Sequence, residues 1–189
     1  MSVGLQKQAF ESEVLDPKEH GRLVKEIESV AKRAGIPVQM VWTSMKKFCT
    51  PDEIAYVREL RKKMKSGVLG LVYVGSSDAY KAIIDRMSAV AAACVRNYIN
   101  AQVMNVNDVI RETQAGTMPM PTVLLIPNFY IGSDNDIPKW RSGALLDMLY
   151  SRKQEGLQTF LYVRSMNGLE ADYGDTFVDH LHRFDTIPA

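Results

Sequence analysis

Among the residues able to do chemistry, the first to weigh are Gly75-Ser-Ser-Asp-Ala-Tyr-Lys81-Ala82, a polar loop between a short apolar run and a long helical pattern. In an α/β sheet that position binds phosphate, because the backbone N–H groups that open the following helix face the anion. Against the phosphate-loop spacing G-x-x-x-x-G-K-[ST], Gly75 and Lys81 match, Tyr80 replaces the second glycine, and Ala82 replaces the hydroxyl residue. A bulky ring at Tyr80 obstructs a loop that must turn tightly. Ala82 offers no oxygen to Mg²⁺. Lys81 reads equally as a retained anion contact or as a solvated lysine at a helix start.

A second group is basic. Arg58, Arg61, Lys62, Lys63 and Lys65 cluster on one predicted helix, with Arg58, Lys62 and Lys65 close together on a face that could meet phosphates or simply be solvated. Lys139, Arg141 and Arg152, with Trp140, form another basic group further on. His180 and His182, two apart, do not share a helical face, so a surface pair is expected and no metal site. Asp134 and Asp136 resemble part of a calcium loop, but the downstream glycine and glutamate are missing. No Ser/His/Asp or Cys/His order suggests a nucleophile. Cys49 and Cys94 have no metal-like spacing and form no disulfide framework, so both are expected to be free and structural, in a reducing compartment.

The elements that must position these groups follow from patterning. The 189 residues, 46% hydrophobic and 24% charged, suffice for one ordinary core. A formal net charge of +1 supplies no field that by itself would hold nucleic acid or an anionic membrane. No apolar run is long enough to span a bilayer, and a cytoplasmic protein with no membrane association is expected. Residues 1–15 show no firm period. Asp16, Pro17 and Glu19 then start one amphipathic helix through Ala34, stopped by Gly35 and Pro37. Thr50 and Pro51 open a second helix with the stripe Ile54, Val57, Leu60 and Met64, ending at Gly67. The spacing then predicts strands at 68–74, 101–106, 122–126 and 158–163. Helices are predicted at 79–98, from a cap at Asn107 to Gln114, from Pro138 to Gly156, and at 175–184. Met118-Pro-Met-Pro121 reads as a turn before a strand. Strands apolar on both faces, alternating with helices, predict a mostly parallel sheet covered by helices.

In order and spacing these elements resemble the ATPase domain of bacterial helicase loaders of the DnaC type and their transposition relatives of the IstB type. The landmarks are Ala34-Gly-Ile-Pro37 with Phe48, Gly70-Leu-Val-Tyr-Val-Gly75, Thr122-Val-Leu-Leu-Ile-Pro-Asn128, Leu145-Leu146 with Arg152 and Gly156, Thr159-Phe-Leu-Tyr-Val-Arg164, and Leu169 to Leu181. The resemblance implies a three-layer P-loop NTPase (AAA+-like) domain over residues 37–189, with four to five strands, behind an N-terminal helical segment, 1–36. It also locates the departures from the family's chemistry. Pro127 and Asn128 stand where an acidic pair should hold Mg²⁺ and position water, and Arg164 stands where a polar sensor is usual. Asp179-His180 falls near the expected Ser-Arg finger, with Arg183 as a displaced candidate.

The expectation is therefore a non-catalytic domain without a cofactor, holding a protein partner in a helicase- or recombination-type assembly for replication, transposition or a mobile element. DNA or RNA is a possible further partner. The alternatives are an atypical ATPase whose site a partner completes, and an ATP-independent nucleic-acid-binding subunit.

Overall fold

The computed structural model describes residues 3–12, 14–76, 80–132 and 139–189, apart from the side chains of 3, 5, 6 and 139–141. In chain order the elements are α1 (Val3–Phe10), α2 (Pro17–Lys25), α3 (Ile27–Ala34), α4 (Pro51–Arg58), α5 (Leu60–Lys65), β1 (Gly70–Val74) and α6 (Tyr80–Arg96). There follow β2 (Ala101–Val103), α7 (Val106–Gln114), β3 (Val123–Tyr130), α8 (Lys139–Gln154), β4 (Gln158–Val163), α9 (Met166–Tyr173), α10 (Asp175–Leu181) and β5 (Asp185–Pro188). Two short 3₁₀ turns, Val38–Trp42 and Met45–Lys47, bridge α3 to α4.

Among the described residues five strands form one sheet, all parallel, in the order β2-β3-β4-β1-β5. Strand alternation builds two cores. Leu71 and Tyr73 of β1, Val123 and Leu125 of β3, and Phe160 and Tyr162 of β4 pack on one face with residues of α2 to α6. Val72, Leu124, Ile126, Leu161 and Val163 pack on the other with α7 to α10. This is the three-layer arrangement, because the period-2 side-chain reversal gives each face its own helical cover.

Both predicted N-terminal helices break once. The first divides at Glu26 (φ −110°, ψ 16°), and Asp16 caps its start by accepting from the N–H groups of Lys18 and Glu19. The second divides at Glu59 (φ −96°, ψ 8°). Of its expected stripe only Leu60 is buried, while Ile54, Val57 and Met64 are half-buried; the other buried residues of α4 and α5, Glu53 and Tyr56, lie outside that stripe. Gly35 closes α3 in a left-handed turn (φ +67°), and a side chain there would meet the Val103 carbonyl at 2.3 Å. Glycine is therefore required twice over, for the turn and for the close approach to β2. α1, α9 and β5 lack a strong sequence signal. α7 is capped by Asn105, whose side chain accepts from the Asn107 N–H, and not by Asn107. Pro138 lies outside the described residues. Cys49 and Cys94 are free and buried, and burial raises both thiols.

Candidate functional site

A parallel sheet gathers the C-terminal ends of its strands along one edge, and here that edge brings together the ends of β1, β3 and β4. Gly75 and Ser76 leave β1, residues 77–79 lie outside the described residues, and α6 starts at Tyr80. Lys81 and Ala82 are exposed on its first turn. The Gly75 N–H donates to the Val163 carbonyl (3.3 Å), and the Ala189 N–H to that of Val74 (2.9 Å). A β-carbon at Gly75 would lie 2.6 Å from that of Ala189, so the small residue is needed where the end of β5 crosses the loop.

Tyr162 and Tyr73 are cross-strand partners on the α6 face of the sheet. The Tyr162 hydroxyl donates toward the carbonyls of Gly75 (3.0 Å) and Ser76 (2.7 Å), and its ring lies 6.2 Å from that of Tyr80. The carbonyls at the start of the loop are thereby fixed toward the sheet from below. Tyr162 gave no signal in the sequence beyond its place in an apolar strand. Further into α6, buried Arg86 donates from Nε to Glu53 Oε2 (3.0 Å) and from a terminal nitrogen to the Pro188 carbonyl (3.1 Å). It also lies 5.1 Å from the Tyr73 ring centroid. Glu53, fully buried, accepts from the Thr50 N–H at 2.7 Å as well. Thus a buried ion pair, also invisible to spacing alone, ties α4, α6 and β5 together beneath the loop. Burial, with Glu53 close by, raises the Tyr73 phenol.

At the end of β3 the pairing register with β4 shifts between Ile126 and Tyr130, and Pro127 sits in this irregularity, where a missing N–H is tolerated. Asn128 is buried, and its Oδ1 accepts from the Val106 N–H at 2.9 Å. Its amide oxygen is thus spent on the start of α7. Phe129 is fully buried in the second core, 6.3 Å from Phe177. Arg164 follows β4 and is exposed; its N–H donates to the Tyr130 carbonyl (2.8 Å) and its guanidinium to that of Ile131 (3.4 Å). Tyr130 donates to Asp172 Oδ2 at 2.7 Å, and burial with that hydrogen bond pushes its phenol up to about 12. Gly75, Tyr80, Lys81, Ala82, Pro127, Asn128 and Arg164 therefore share one edge of the sheet.

The expected nucleic-acid set does not stay together. Arg58, Lys62 and Lys65 are exposed, Lys62 lying 3.9 Å from Glu59. Lys63 is instead half-buried and ion-paired at 2.6 Å with Asp185 of β5, which removes it from an open contact face. Arg152 is contradicted outright as a surface contact. It is 1% exposed and donates to Thr159 Oγ1 (2.9 Å) and to the carbonyls of Pro119, Pro121 (both 3.1 Å) and Gln158 (2.5 Å). Its charge holds the 118–121 turn and the start of β4, and burial pushes its guanidinium down. The side chains of Lys139 and Arg141, and the residues Asp134 and Asp136, lie outside the description.

His180 and His182 are not a surface pair. His182 is exposed, whereas His180 is buried against Tyr150 (ring centroids 5.0 Å apart) and Phe184 (5.9 Å). Burial, with Lys153 and Arg183 nearby, lowers its pKa. Arg183 is exposed just before β5. Among the described residues no three His, Cys, Asp or Glu side chains cluster as metal ligands, and no helix is long and apolar enough to cross a membrane.

The chain matches no protein-family model and no curated protein. It is similar in structure to a DNA replication initiation factor (TM-score 0.53, 10% identity, 77% of this chain and 48% of that one). It is similar also to the replication initiator DnaA bound to AMPPCP and single-stranded DNA (TM-score 0.52, 10% identity, 77% and 49%). AMPPCP-bound DnaA from Aquifex aeolicus is a third similar structure (TM-score 0.54, 11% identity, 77% and 49%). The chain spans about half the length of these structures. The shared feature is the fold, a three-layer α/β domain around a parallel sheet.

Proposed function

We propose that this domain is a pseudo-ATPase: a helicase-loader-like adaptor that keeps the AAA+ fold as a platform for a protein partner in a replication, transposition or mobile-element complex. The observation that carries the reading is the end of β3. Phosphoryl transfer needs carboxylates there to hold Mg²⁺ and orient water. Pro127 offers no polar side chain, and Asn128 commits its oxygen to the Val106 N–H. Ala82 adds no metal ligand, and the Tyr162 hydroxyl engages the Gly75 and Ser76 carbonyls with its ring 6.2 Å from that of Tyr80.

The test is steady-state ATP turnover by the purified chain with Mg²⁺, together with thermal melting in millimolar ATP. Turnover at background and an unmoved midpoint are expected. Occupancy at ~100 times the dissociation constant would add about 2.7 kcal/mol and raise the midpoint clearly. Mg²⁺-dependent turnover abolished by Lys81→Ala would establish the rival reading, an atypical ATPase. One observation favours a second, compatible activity. Arg58, Lys62 and Lys65 are exposed on α4 and α5 and could track a phosphate backbone. Binding of single-stranded DNA that weakens steeply with salt and is lost on reversing those three charges would support it; no gel shift at low salt would remove it.

A further inference from the structure

A cleft of about 430 Å³ opens between the α2–α3 pair and the turn from α6 into β2. It borders Ala101, the first residue of β2, and so lies at the opposite end of the parallel sheet from the loop after β1. Leu23, Val30, Val95 and Ile99 supply an apolar lining, and Arg22 and Arg33 stand at its rim as exposed residues. The acidic member, Glu26, lies 4.0 Å from Arg22, which leaves the rim with excess positive charge.

The wall formed by Tyr98 is unusual. Tyr98 has φ +56° and is the sole described residue other than glycine in that region. It ends α6 in a turn closed by the Ile99 N–H to the Cys94 carbonyl (2.9 Å) and the Tyr98 N–H to that of Val95 (3.0 Å). Such a position ordinarily takes glycine, since a β-carbon is disfavoured there. Yet Tyr98 is 63% exposed, so burial does not offset the backbone cost. Its hydroxyl donates to the Glu19 carbonyl at 2.6 Å, and its ring stacks on His20 (centroids 6.5 Å apart, 8° between planes). The chain thus holds a rigid aromatic wall at a strained, solvent-facing point, which is a feature of binding sites.

We infer that this cleft docks a short peptide segment of a protein partner, bearing an aliphatic side chain flanked by carboxylates. The lining takes the aliphatic group, Tyr98 supplies a preorganised aromatic face, and Arg22 and Arg33 meet the acids. A nucleic acid would need a basic stripe along its backbone, and this rim has two arginines and a glutamate. The inference goes beyond the proposal for the loop after β1, and either can fail while the other stands.

The experiment is fluorescence anisotropy on the whole chain with labelled peptides built on Asp-Glu-Leu-Ile-Glu-Asp, on a counterpart with glutamine for each acid, and on one with lysine. A single-stranded oligonucleotide serves as competitor. Saturable binding of the acidic peptide is expected, about tenfold or more weaker for the glutamine form and absent for the lysine form. The double reversal Arg22→Glu, Arg33→Glu should weaken it by a similar factor. Tyr98→Gly, which relieves the backbone and leaves the fold intact, should weaken it too. Amide shifts on binding should centre on Val30, Tyr98 and Ile99. Failure of every peptide to bind, undiminished binding by the double reversal, displacement by the oligonucleotide, or shifts centred on α4 and α5 would each overturn the inference.

Discussion

Replacing Arg152 with methionine separates its structural assignment from the surface contact that its sequence position suggests. Methionine retains much of the aliphatic volume but removes every donor. Four acceptors then lose their partner: the carbonyls of Pro119, Pro121 and Gln158, and the Thr159 hydroxyl. A buried polar group left unpaired costs about 1–3 kcal/mol. Carbonyls carry two lone pairs and tolerate partial satisfaction better than N–H groups do, so the lower figure applies to each, giving roughly 4 kcal/mol in all. A domain of this size loses about 2–4 °C of melting temperature per kcal/mol, which predicts a fall of roughly 8–16 °C. Arg152→Lys should recover only part of it, because an ammonium cannot fork to the same acceptors. Urea unfolding followed by circular dichroism measures the loss. A methionine variant within about 1 kcal/mol of the parent would refute the structural role. So would a fully stable variant that had specifically lost nucleic-acid binding.

Three further outcomes follow from the same geometry. Lys63→Glu breaks the 2.6 Å pair with Asp185 and sets two carboxylates together; with both side chains part-exposed the loss should be about 1–2 kcal/mol, whereas Lys62→Glu should fall within about 0.5 kcal/mol of the parent, as thermal melts of both would check. Asn128→Leu leaves the Val106 N–H unpaired inside the protein and should cost about 1–3 kcal/mol in urea unfolding, while Asn128→Asp retains an acceptor there and, with Ala82 unchanged, should yield no ATP turnover. His180 has a lowered folded pKa, so the unfolded chain binds its proton more readily: the stability of neutral His180 is complete above its unfolded value of about 6.5 and is lost as pH falls through the folded value. His180→Phe should flatten that dependence in melts across the same range, and an unchanged slope would count against it.

Local chemistry made much of the scaffold legible in the sequence. The apolar run 158–163 is β4 residue for residue, Asp16 with Pro17 starts α2, and Gly35 ends α3, because strand patterning, caps and left-handed turns are short-range properties. The proposal for Tyr80, Ala82, Pro127 and Asn128 likewise starts from the sequence, since a phosphate-binding loop calls for certain residue types at fixed spacing. Burial and pairing were another matter. Glu53 reads as a first-turn acid and Lys63 as part of a solvated basic run, yet their partners Arg86 and Asp185 lie 33 and 122 residues away. Arg152 looks like one more helix-end cation until the 118–121 turn folds over it. Neither Tyr162 nor Tyr98 is singled out by spacing: the first acts through carbonyls that the sheet brings to it, and the second through a backbone angle and a hydrogen bond to α2, 79 residues earlier. Residue types and local spacing thus determined most of the elements, α1, α9 and β5 excepted. The tertiary fold alone decided which charges are neutralised, which are buried and which remain at the surface, because that depends on contacts between segments distant in sequence.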